Sequence, residues 1–330
     1  MTTVEDRALP RPPYDPELLP MLEAAAQQGL PSSITLEMIA PMRETGNDGW
    51  APPIEELIAD RPIVHTERTV PGPAGAPDII LSILTPAEPL AAAPAIYHTH
   101  GGGMIIGNRH DGVAGFLDLI EQHKLVLVSV EYRLAPEHPD PAPVEDCYAG
   151  LVWTAEHADE LGIDPSRLII GGASAGGGLA AGVTLLARDR GGPALAGQLL
   201  LCPMLDDRNI TVSSRQYQGI GVWDRTSNKT GWDALLGEGH ESRDVSVYAV
   251  PARADDLRNL PPAFIDVGSA EVFRDEDVDY ASRIWAAGGQ AELHVWAGGF
   301  HGFQLMGGQA AVSVSARGAA EDWIRRTLSL

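Results

Sequence analysis

Short apolar runs, spaced by helical patterns, recur along most of the chain. Ala95 to Thr99, Leu125 to Glu131, Leu168 to Gly172, Gln198 to Pro203, Ala263 to Val267 and Glu292 to Trp296 read as strands. The continuous run Leu125-Val126-Leu127-Val128 suits a strand buried on both faces of a parallel sheet. Ile63 to Val70, a Pro-Gly-Pro turn, and Asp78 to Thr85 carry apolar residues near alternation, which predicts a hairpin. Between the strands, Val144, Tyr148, Leu151, Val152 and Ala155 fall on one helical face. Gly177 to Arg188, Asp275 to Ala287 and Ala311 to Ser329 read as further helices. The first sixty residues are rich in Pro, Ala and Glu, with short helices expected over Pro16 to Gly29 and Thr35 to Thr45.

Strand-helix alternation behind a hairpin predicts an α/β fold. The sheet should be doubly wound and mostly parallel, with an antiparallel start and helices on both faces. Asp206 to Leu257 breaks the rhythm: it carries Trp223 and Trp232 but little strand pattern. It reads as an insertion over the site, packing with the N-terminal segment. The expected division is an N-terminal cap segment over residues 1–50, a catalytic domain over 51–205 and 246–330, and a cap insertion over 206–245.

Composition narrows the picture. The chain has 330 residues, 44% of them hydrophobic, enough for one large core. A net charge of −22 argues against nucleic acid and anionic membranes as partners, since both need basic surface. The two cysteines, Cys147 in a helix and Cys202 in an apolar strand, are too few for a disulfide framework and are expected as buried thiols. Met1 to Asp15 lacks the apolar stretch of a signal peptide, and no run of eighteen apolar residues occurs. A soluble, cytoplasmic protein is expected.

Two strand ends carry chemistry. His100-Gly101-Gly102-Gly103 follows one strand, and consecutive glycines let backbone N–H groups point at an oxyanion. Gly172-Ala173-Ser174-Ala175-Gly176 follows another and reads as a strand-to-helix elbow presenting a nucleophile. A Gly-rich turn of this kind also opens dinucleotide-binding folds, but this one lies mid-chain without a Walker lysine. The two motifs together favour acyl transfer.

A histidine and an acid should follow the serine. His301 lies in Gly299-Phe300-His301-Gly302-Phe303, just past the last apolar strand. His98 and His294 alternate within strands, His138 belongs to a Pro-rich turn, and His65, His110, His123, His157 and His240 lack a matching setting. For the acid, Asp266, Glu271, Asp275 and Glu276 compete. Asp266 lies within a strand, and Asp275 and Glu276 open a helix, where acids complement the dipole. Glu271 stands in the loop between and is favoured.

These residues resemble the hormone-sensitive lipase family, the α/β-hydrolase esterases with an HGGG loop. The resemblance is carried by His100 to Gly103, Glu131-Tyr132-Arg133-Leu134-Ala135-Pro136-Glu137, Gly172 to Gly177, Arg274-Asp275-Glu276 and Phe300-His301-Gly302-Phe303. It runs from about residue 60 to the C-terminus. Three positions depart from the family's habit. Ala173 replaces an Asp before the nucleophile, Met104 replaces an aromatic after the glycines, and Glu271 replaces an Asp. The resemblance implies an α/β-hydrolase fold, an oxyanion hole from the N–H groups of Gly102, Gly103 and Ala175, a helical cap, and frequent homodimers.

The reading is therefore a serine carboxylesterase acting on short- to medium-chain acyl esters. Ser174 attacks, His301 carries the proton and Glu271 orients His301. No metal or organic cofactor is required. Met104, Tyr217 and Trp223 are candidates to line the substrate pocket. Amidases, lactonases and deacetylases can use the same triad. A non-catalytic small-molecule receptor on this fold is disfavoured because all three triad types are in place.

Overall fold

The computed structural model describes residues 9–27, 31–44 and 51–330. The N-terminal segment forms α1 (Leu19–Gln27) and α2 (Leu36–Glu44). The expected ends of these helices at Gly29 and Thr45 lie outside the described residues. A short α3 (Ile54–Ile58) then leads into β1 (Ile63–Val70) and β2 (Ile79–Pro86), the predicted hairpin. The chain continues through β3 (Ala93–Thr99), α4 (Leu117–His123), β4 (Val126–Glu131), α5 (Ala142–Glu156) and α6 (Ala158–Leu161). Next come β5 (Ile163–Ala173), α7 (Ala175–Arg190), β6 (Gly197–Leu201), α8 (Val212–Gln216) and α9 (Arg225–Leu236). It closes with β7 (Ala263–Gly268), α10 (Arg274–Ala286), β8 (Ala291–Trp296), α11 (Phe303–Met306) and α12 (Ala311–Leu328).

The strands form one eight-stranded sheet in the order β1-β2-β4-β3-β5-β6-β7-β8. β2 is antiparallel to both β1 and β4, and every later pairing is parallel. Apolar runs without polar alternation serve two cores at once, because successive side chains leave a strand on opposite faces. Tyr97 and Ile170 enter one core with α5, α7 and α10. Ile96 and Ile169 enter the other with α3, α4 and α12.

Two local readings change. Cys202 lies just past β6 rather than in it, with φ 39°. α7 begins at Ala175, two residues earlier than expected, so the helix starts directly behind the serine. Both cysteines are free and buried.

The insertion between β6 and β7 carries α8 and α9. Asp224 caps α9 by accepting from Ser227 N at 2.8 Å. The N-terminal segment is bonded to this insertion: Ser33 Oγ donates to Asp224 (2.8 Å), Ile34 N donates to Ser227 Oγ (2.9 Å), and Thr230 Oγ1 donates to the Ile34 carbonyl (2.8 Å).

Candidate active site

Parallel strands bring their C-terminal ends to one edge of the sheet, where α/β folds place ligands. In the β3–β5 register Thr99 pairs with Gly172, so the glycine loop and the elbow start at the same level. Ser174 has φ 58° and ψ −124°, a conformation that costs a non-glycine residue free energy. Its amide donates to the Leu201 carbonyl (2.8 Å), and its carbonyl accepts from Met204 N (2.9 Å). The glycines two residues to either side are required by crowding. A Cβ on Gly172 would stand 2.4 Å from the Thr99 carbonyl oxygen, and one on Gly176 would stand 2.0 Å from it.

His301 Nε2 lies 2.9 Å from Ser174 Oγ, and His301 Nδ1 lies 2.7 Å from Glu271 Oε2. Glu271 Oε1 accepts from Gly268 N at 3.2 Å, so both carboxylate oxygens are engaged. Glu271 is 1% exposed and His301 7%, so the pair is shielded from water. With Nδ1–H donating to the carboxylate, Nε2 is left to accept from the serine hydroxyl. Phe273 meets the imidazole edge-on, with ring centroids 5.0 Å apart.

The competing acids are engaged elsewhere. Asp275 accepts from Ser213 N, and Glu276 accepts from Leu205 N and Asp206 N. Asp266 is fully buried and accepts from Gln304 Nε2 at 3.2 Å. Burial first, then the neighbouring Glu271 charge, pushes its carboxyl up to about 8. In the unfolded chain this group titrates near pH 3.9. Between about pH 4 and 8 the folded state therefore holds the extra proton, and stability falls as pH rises through that window. Asp266→Asn should flatten this slope. Urea unfolding free energies measured from pH 5 to 8 check it, the expected difference being a shallower decline in the variant.

The histidines of the glycine strand do not face the serine chemistry. His98 bonds Ser129 Oγ at 2.9 Å, and burial pushes it down to about 3. His100 stacks on Tyr132 with centroids 4.1 Å apart, and burial pushes it down to about 4. Both rings are thus neutral supports for the loop.

Gly102, Gly103 and Met104 have φ of 106°, 62° and 61°. This run reverses the backbone, and both Ile105 N and Ile106 N donate to the Gly102 carbonyl at 3.0 Å. A Cβ on Gly102 would stand 2.0 Å from the Ile106 carbonyl oxygen, and one on Gly103 would stand 2.3 Å from the Trp223 ring. Among the described residues nothing accepts from the N–H of Gly102, Gly103 or Ala175.

Of the three expected pocket residues, Trp223 is seen beside the imidazole, and it too is buried in the main core. It packs on Gly103, and its ring centroid lies 6.5 Å from that of His301. Met104 is 1% exposed and belongs to the main core beneath the loop. Tyr217 is also 1% exposed, donates to the Pro12 carbonyl at 3.0 Å, and tilts against Tyr14. It fastens the N-terminal segment to the insertion.

Arg43 was not among the sequence candidates. From α2 its Nε donates to the Ile105 carbonyl (2.7 Å), Nη2 to the Ala135 carbonyl (2.6 Å) and Nη1 to Glu137 (2.7 Å). Ala135 N in turn donates to the Met104 carbonyl at 2.9 Å. One guanidinium thus ties the N-terminal segment to the back of the glycine turn. Hydrogen bonds from a charged donor contribute about 1.5–3 kcal/mol each, less where partly exposed. Arg43→Ala should lower kcat/KM by about 10-fold. Arg43→Lys should recover only part of it, because an ammonium cannot span the same carbonyls in one plane. Steady-state kinetics on the three proteins check this.

Cys202 Sγ, the Glu271 carboxylate and the His301 imidazole have ligand atoms within 4.8 Å of one another. Burial pushes the Cys202 thiol well above its usual range. Without an ion, the thiol is therefore protonated at neutral pH.

The comparisons with known proteins follow this geometry. A family model described as the alpha/beta hydrolase fold matches residues 96–305. The chain belongs to that family. Esterase LipI of Mycobacterium tuberculosis is 31% identical over 325 residues, covering 89% of each chain. Carboxylesterase NlhH of the same organism is 39% identical over 235 residues, 69% of this chain and 71% of that one. A solved structure titled Bacterial Heroin Esterase superposes with a TM-score of 0.85 at 39% identity, covering 96% of this chain and 98% of that one. This α/β-hydrolase is a carboxylic ester hydrolase, in line with its resemblance to the hormone-sensitive lipase family. No helix among its described residues is long and apolar enough to cross a membrane.

Proposed function

We propose that this enzyme hydrolyses short- to medium-chain acyl esters through a Ser174–His301–Glu271 triad and an acyl-enzyme. The observation that carries the reading is the unbroken chain from Ser174 Oγ through the imidazole to Glu271, with links of 2.9 and 2.7 Å. Ser174 Oγ bonds to the ester carbonyl carbon while His301 Nε2 takes its proton. The imidazolium forms beside Glu271, whose charge favours it. The tetrahedral oxyanion is met by the N–H groups of Gly102, Gly103 and Ala175, each worth roughly 3 kcal/mol of barrier. The C–O bond to the alcohol breaks as His301 returns the proton to the leaving oxygen. Water, deprotonated by the same imidazole, then cleaves the acyl-serine.

The described parts of residues 1–50 and 206–245 act as a cap. The bonds of Ser33, Ile34 and Thr230 across the two segments support this reading, and Trp223 delivers one apolar wall beside Gly103. A capped apolar wall suits a small ester taken from solution.

Two measurements test the reading together. An organophosphate should inactivate the enzyme and add its mass to the peptide holding Ser174. A series of p-nitrophenyl esters from acetate to laurate should show kcat/KM peaking at short or medium chains. Labelling elsewhere, or a steady rise to the longest chain, overturns it.

A further inference from the structure

Edge strand β1 places His65 and Glu67 two residues apart, so their side chains leave one face of the sheet. His110 comes to the same place from the segment that follows the glycine turn. Its ring lies edge-on to His65, with centroids 5.6 Å apart. One ligand atom from each of His65, Glu67 and His110 lies within 4.8 Å of the other two. His110 Nε2 is buried and has no hydrogen-bond partner among the described residues. A buried polar nitrogen left unpaired is costly unless something occupies it.

We infer that His65, Glu67 and His110 form a binding site for a divalent transition-metal ion of the Zn2+ type. Two imidazole nitrogens and one carboxylate oxygen, with a water, match the tetrahedral set this ion prefers. Two nitrogen ligands disfavour Mg2+ and Ca2+, which select oxygen. Zn–ligand bonds of about 2.0–2.2 Å place tetrahedral ligands about 3.4 Å apart, so ligand atoms now within 4.8 Å of one another close by at most about 1.4 Å on binding. That is rotamer adjustment rather than backbone movement.

The surroundings suit a neutral-ligand site. Burial pushes both imidazoles down, so both are unprotonated at neutral pH. Ser82 Oγ stands 2.6 Å from His65 Nε2 and orients that ring. Arg109 bridges Glu67 and Glu131, with its contacts on Glu67 all made to Oε1, leaving Oε2 for the ion. Glu67, Glu131 and Glu55 stand against the one guanidinium, so the local field is negative and attracts a dication. A bound ion would brace the sheet edge to the segment leaving the glycine turn.

The test uses the full chain after chelator treatment. Calorimetry with ZnCl2 should give one site, and Co2+ should give the intense visible bands of tetrahedral coordination. His65→Ala/His110→Ala should weaken Zn2+ binding at least 10-fold while leaving metal-free esterase activity unchanged. Glu67→Gln should do the same more mildly, and serves if the double variant fails to fold. Absence of binding overturns the inference, as does binding unchanged in these variants. Binding lost instead in His240→Ala or His301→Ala also overturns it, by assigning the ion to Asp233–His240–Glu241 or Cys202–Glu271–His301.

Discussion

Ser174→Ala is expected to lower kcat by about 10^6-fold, the scale on which loss of a triad nucleophile acts. The substitution deletes one oxygen and keeps the Cβ, so the backbone sees the same strain at φ 58°. The lost hydrogen bond to His301 Nε2 is worth about 1 kcal/mol net, partly offset because water can take its place at this part-buried atom. The melting temperature should therefore move by no more than a few degrees. Any hydrolysis that remains comes from the N–H groups of the glycine turn and from positioning alone. Rates on p-nitrophenyl acetate beside a calorimetric melt separate the two effects. A variant retaining more than about 1% of wild-type kcat with an intact melt would mean another group attacks, and the elbow reading would fall. A variant that loses activity together with its fold would contradict the small packing role assigned to Oγ.

Much of this site was legible in the chain because its constraints are local. Gly172 and Gly176 are dictated by a clash with the Thr99 carbonyl that any side chain would make, so glycine spacing announces the elbow. Apolar runs announced the sheet because strands buried on both faces carry no polar alternation, as Ile96 and Tyr97 show by entering opposite cores. His301 and Glu271 stood out by following predicted strands. What escaped the sequence depends on separation along the chain. Arg43 meets Ile105 and Ala135 across 62 and 92 residues, and a lone arginine in a Pro-rich leader carries no periodic signal. Met104 was expected in the pocket because it follows the glycines. Its positive φ belongs to a backbone reversal, and its side chain is buried, as that of Trp223 is. Cys202 was read as a strand residue because apolar character continues past Leu201, whereas the ladder stops there. Asp266 and Gln304 pair behind Glu271 over 38 residues, and only the fold brings them together.

Glu271→Gln should cost about 10^4-fold in kcat, the scale of leaving a triad histidine in the wrong tautomer. The carboxylate accepts twice, from His301 Nδ1–H and from Gly268 N–H. A glutamine offers one acceptor and one donor group in those places. Turned with its oxygen toward Gly268, it donates to Nδ1, and the ring must carry its proton on Nε2. That nitrogen then faces Ser174 Oγ as a donor and cannot take the hydroxyl proton. Turned the other way, the amide group opposes Gly268 N–H at a buried site, and the imidazolium loses its countercharge. Glu271→Asp separates charge from reach. It keeps the carboxylate but draws it back by one methylene, a misplacement of about 1 Å, which can cost about 100-fold. The expected order of kcat is therefore Glu, then Asp, then Gln, each step about 100-fold. Organophosphate inactivation rates should follow the same order, since they report the same proton transfer. Equal rates for Asp and Gln would mean that geometry alone matters and charge does not. Near-wild-type activity in Gln, with activity lost in Asp266→Asn, would move the orienting acid to Asp266. The 2.7 Å contact opposes that outcome, since among the described residues only Glu271 reaches Nδ1.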